Sequence, residues 1–121
     1  PDTPRTVTPL LREILPYHFV PLPEPEDART AGLLRKQIKA VNEMAVRLKK
    51  NHKPGETVLI VGHANLFRTL IPILGKRNPR ECILLNLSNA SVTILNVWFG
   101  GEVVLSLSNC TKHLLDSQVT D

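Results

Sequence analysis

The chain has 121 residues, of which 15 are Lys or Arg and 11 are Asp or Glu, for a net charge of +4. A 42% hydrophobic share in a chain of this length fits one domain with one core and excludes a disordered polymer. The mild charge excess and a 4% aromatic share give no stacking platform, so nucleic acid is not an expected partner. No apolar run approaches the roughly 18 residues needed to cross a bilayer. Cys82 and Cys110 lack metal-ligand spacing, and His18, His52 and His113 stand apart from any such spacing. No metal and no cofactor are therefore expected. The chain opens at Pro1, without Met and without a leader pattern, which suggests a processed product or a fragment.

Seven of the ten prolines fall in the first 25 residues. Proline fixes φ and lacks a backbone donor, so residues 1–26 read as an irregular arm with one helical turn around Leu10–Glu13. Residues 27–121 read as the main body. From Asp27 to Lys50, Ala31, Leu34, Ile38, Val41, Ala45 and Leu48 recur at spacings of 3 and 4. That pattern predicts one amphipathic helix with Asp27 as its N-cap. Its other face carries Arg35, Lys36, Lys39, Arg47, Lys49 and Lys50 and reads first as a solvated surface, with an acidic partner or membrane as the alternative. Lys53-Pro54-Gly55-Glu56 ends it.

Thr57–Val61 is an unbroken apolar run, expected as a central strand buried on both faces. Gly62-His63-Ala64-Asn65 follows, and then an apolar helix over Leu66–Leu74 that Pro72 should kink and Gly75 should cap. Cys82–Leu87, Ser91–Trp98 and Glu102–Leu107 read as strands, the last two joined by a Phe99-Gly100-Gly101 turn. The expected architecture is α/β, a mixed sheet with helices packed on it and a C-terminal antiparallel hairpin.

The chemistry concentrates at His63. A histidine at the carboxyl end of a buried strand stands where open α/β sheets bind ligands. The amides of Ala64, Asn65 and Leu66 would open the next helix and offer an anion site. On sequence alone, a hydrogen-bonded core histidine competes with this reading. Likewise Glu13 competes with a plain solvated carboxylate, and Asn65 with a helix cap. Arg68 reads as a surface residue, Ser91 and Thr93 as strand residues, and Cys110 as a small buried residue.

Val58–Arg68, VLIVGHANLFR, resembles the second-histidine segment of the histidine phosphatase superfamily, also called phosphoglycerate-mutase-like. Leu10-Leu11-Arg12-Glu13 followed by Pro16 resembles its "LLRE…P" segment. Asn89–Leu95, a Gly-Gly turn and Asn109–Leu114 resemble its closing strands. The "HAN" and "LLRE" pieces favour the branch of the mitochondrial serine/threonine phosphatase. The resemblance implies a three-layer α/β/α phosphatase fold that passes a phosphoryl group through a phosphohistidine. Glu13 would be the acid/base, His63 the second pocket histidine, and Ala64 and Asn65 phosphate contacts. Phosphoesters, phosphoproteins among them, would be the substrate. The family opens on a strand ending in Arg-His-Gly, which carries the nucleophile, and nothing in these 121 residues matches it. The chain therefore looks like the carboxyl-terminal portion of such a domain, partnered by the absent half or by another copy. A catalytically inactive pseudophosphatase or interaction module is the alternative.

Overall fold

A computed structural model describes residues 5–14, 28–78, 85–98 and 100–120, the side chains of 28–31 excepted. In chain order these form a 3-10 turn (Pro9–Leu11), helix α1 (Ala28–Asn51), helix α2 (Ala64–Leu74), strands β1 (Val92–Val97) and β2 (Val103–Cys110), and a second 3-10 turn (Asp116–Gln118). The coarse α/β reading holds: two helices and a small antiparallel sheet. Asp27, the proline-rich stretch past Ile14 and residues 82–84 of the first late strand lie outside the described residues.

The core is the seam between the helices. Val41, Met44 and Ala45 of α1 meet Leu66, Leu70 and Leu74 of α2, all nearly sealed from solvent. The α2 residues stand four apart, so they fall on one face of the helix. Thr69 is also buried, and its hydroxyl donates to Asn65 O at 3.1 Å, which satisfies it within the helix. Leu10, Leu11 and Ile14 of the arm, and Leu95 and Val103 of the hairpin, close the seam from two sides. Across it, Lys49 Nζ donates to Leu74 O at 2.8 Å, a cation on the carbonyl end of α2.

Helix α2 starts two residues earlier than expected and runs through Pro72 to Leu74. Gly75 is its C-cap, with φ −80, and Lys76 takes the left-handed turn at φ 57. Lys76 N donates to Ile73 O and Arg77 N to Pro72 O, at 3.0 and 2.8 Å. Those two bonds are a Schellman closure with lysine where glycine usually stands.

β1 and β2 pair antiparallel, with two register shifts along β2. Trp98 N donates to Glu102 O and Gly101 N to Trp98 O, closing the hairpin on Gly101 at φ 83. Asn109 sits at one shift with φ 51, a bulge conformation more often given to glycine. Its Oδ1 accepts from the buried Ser88 N at 2.6 Å, and its own N–H donates to Thr93 Oγ1 at 3.1 Å. His113 Nε2 donates to Ala90 O nearby at 2.8 Å, and Asn89 N to Thr120 O at 2.6 Å, so the tail is tied to the turn before β1.

Two expectations are corrected. Thr57–Val61 forms no sheet pairing among the described residues, and it is not buried on both faces: Leu59 is 88% and Val61 78% exposed. Among the described residues the expected mixed sheet is likewise reduced to the two antiparallel strands. The physical reason is that a strand needs flanking chain to take its N–H and C=O groups, and no described segment lies beside this one.

Candidate functional site

The site is built on the first turn of α2. His63 is its N-cap, in extended backbone at φ −121 and ψ 155, and its carbonyl accepts from Phe67 N at 3.1 Å. Its imidazole makes no capping bond and is exposed. Gly62 brings the chain in close: a Cβ there would stand 3.0 Å from Phe67 Cζ and 3.3 Å from Leu66 Cδ2. A side chain at that position would push the Phe67 ring aside, which gives the glycine a steric reason.

The cap that His63 does not supply comes from another part of the chain. Glu13 Oε1 accepts from Leu66 N at 3.1 Å, three residues past His63, and from its neighbour Ile14 N at the same distance. Leu10, Leu11 and Ile14 seat the arm on the core, and the carboxylate reaches the helix end from there. A negative group at the positive end of a helix is favourable, and it satisfies an amide that has no partner inside the helix. Two of the expected site residues, Glu13 and His63, are thus brought to one helix terminus. The amides of Ala64 and Asn65 have no partner among the described residues and lie in the same turn.

The means of seating His63 is a correction. It is not carried at the mouth of an interior strand, since residues 57–61 form none; the start of α2 and the close approach at Gly62 hold it. Asn65 is not the cap either. Its Oδ1 accepts from Arg68 Nη1 at 3.2 Å, and Arg68 Nε donates to Leu85 O at 2.9 Å. Arg68 is thereby half-buried and joins α2 to the segment before β1, a tie that no local sequence signal announces. His113 binds the Ala90 turn and Cys110 is half-buried opposite Val92. Among the described residues no group of three His, Cys, Asp or Glu side chains is placed to hold a metal ion.

Comparison with protein families matches residues 20–110 to the histidine phosphatase superfamily, branch 1. The chain belongs to the histidine phosphatase superfamily. A comparison with curated proteins finds no match. The superfamily match includes His63, Ala64 and Asn65, while Glu13 lies upstream of it. An imidazole, a carboxylate and two helix amides without a partner among the described residues thus meet at one terminus, an arrangement that suits an anion.

Proposed function

We propose that this chain is the carboxyl-terminal part of a phosphatase of three-layer α/β/α architecture, acting on phosphoesters of the phosphoserine and phosphothreonine class. It would belong to the branch known as phosphoglycerate mutase family member five. The observation that supports the reading is the bond from Leu66 N to Glu13 Oε1, by which this carboxylate shares the helix end that bears His63.

In this reading His63 and the amides of Ala64 and Asn65 hold phosphoryl oxygens and stabilise the charge that spreads over them in the transition state. A histidine of an Arg-His-Gly segment outside these residues attacks phosphorus. An N–P bond forms, the P–O bond to the leaving group breaks, and Glu13 gives a proton to the departing oxygen. Water then attacks the phosphohistidine. The N–P bond breaks, and Glu13 takes back a proton from the water, which restores the site. The tie of Glu13 to the Leu66 amide, in the first turn of the helix that His63 caps, supports this role. The chain by itself, with no nucleophile of this kind, has little or no turnover.

The test compares the 121-residue chain with the same chain joined to an upstream Arg-His-Gly segment from a histidine phosphatase, using p-nitrophenyl phosphate. The joined protein should turn over and the chain alone should stay near background. His63→Ala in the joined protein should lower kcat by about 10²-fold or more. Unchanged turnover in that variant would refute the assignment of His63. A folded joined protein without activity would favour an inactive interaction module.

A further inference from the structure

The outer face of α1 carries an uneven distribution of charge. The helix holds seven Lys and Arg and a single acid, Glu43. The other 97 residues hold eight Lys and Arg and ten Asp and Glu, so the chain outside α1 is slightly acidic. Solvated surfaces commonly intersperse both signs, whereas this one separates them. At 100° per residue, Arg35, Lys39, Val46 and Lys50 fall within about 60° of one another, with Lys36 beside them. That strip points away from Val41, Met44 and Ala45, which face α2. It runs roughly 22 Å along the axis at 1.5 Å per residue. Glu43, the one acid of the helix, is already paired with Arg47 at 2.7 Å.

We propose that this face docks on an anionic membrane surface. The complementarity is between a line of long, exposed cationic side chains and a plane of headgroup charge, with no pocket required. Val46, 62% exposed in the middle of the cations, is placed to meet the acyl boundary. The apolar stripe of α1 is taken up by α2, so the contact is peripheral and electrostatic. Protein interfaces draw their affinity from aromatic anchors in pockets, and α1 has no aromatic residue. For base reading, the candidate amide Asn42 is already turned back to Ile38 O at 2.9 Å.

Flotation of the 121-residue chain with phosphatidylcholine vesicles, with and without 30% phosphatidylserine, tests this at low and high salt. The chain should bind the anionic vesicles at least tenfold better than the neutral ones, and lose them as salt rises, because exposed charges are screened. Lys36→Glu/Lys39→Glu/Lys50→Glu should reduce binding more than tenfold, with Arg77→Glu/Lys112→Glu within about twofold of the unmodified chain, since each basic residue near the surface is worth about fivefold. If the triple Glu variant fails to fold by circular dichroism, the triple Gln variant takes its place with a smaller loss in the same direction. Equal binding to neutral vesicles, no effect of the α1 variants, or tighter binding to poly-glutamate or duplex DNA at the same salt would overturn the proposal.

Discussion

At the residue scale, Glu13 does two things that substitution can separate. Its oxygen caps Leu66 N, and in the proposed reaction its carboxyl moves a proton. Glu13→Gln keeps an oxygen for the amide and has no acidic proton. Thermal unfolding of that variant should stay close to the unmodified chain, while activity of the joined protein falls by about 10²–10⁴-fold. Glu13→Ala loses the cap as well and should cost about 1 kcal/mol of stability. Equal activity in the Gln variant would leave Glu13 a structural cap and nothing more. The "LLRE" segment singled Glu13 out, but its bonding partner was not readable: Glu13 and Leu66 stand 53 positions apart and no periodicity links them.

At the element scale, periodicity was a good guide where an element buries its own face and a poor one where burial depends on a neighbour. The 3-and-4 spacing of Val41, Ala45 and Leu48 located α1 because the stripe itself packs on α2. Ser91–Trp98 and Glu102–Leu107 located the hairpin because each strand is the other's partner. Thr57–Val61 has equally strong β character, yet no described strand lies beside it. The end of α2 shows a subtler limit. Gly75 is the cap the sequence indicated, and the backbone gives the left-handed conformation to Lys76 after it. A non-glycine side chain there is strained, so Lys76→Gly should raise stability by about 0.5–1 kcal/mol, read as a shift in the denaturant midpoint. No change, or a loss, would mean that the Lys76 stem, which lies against Gly101, contributes as much as the strain removes.

At the scale of the whole molecule, the core is narrow and much apolar surface is left outside it. Leu59 and Val61 are largely exposed, as are Val97 and Trp98 at the end of the hairpin. An uncharged apolar run with unpaired backbone is a template for another strand. The isolated chain should therefore self-associate on size-exclusion chromatography, and Leu59→Lys/Val61→Lys should shift it toward the monomer. A compact monomer from the unmodified chain at high concentration would contradict this. The same surface explains why a wider sheet could be expected from the sequence and is not formed among the described residues: the apolar pattern of 57–61 encodes a need for neighbours, and it does not say where they come from.

The Glu13–Leu66 bond also sets an order of events during synthesis. The arm leaves the ribosome before α2 does, and 53 further residues must emerge before the helix end exists for it to grip. At about 5–20 residues per second that is a wait of roughly 3–10 s. The proposed acid therefore reaches its place only after α1 has been made, and the joining of arm to helix is among the last steps by which this terminus becomes whole.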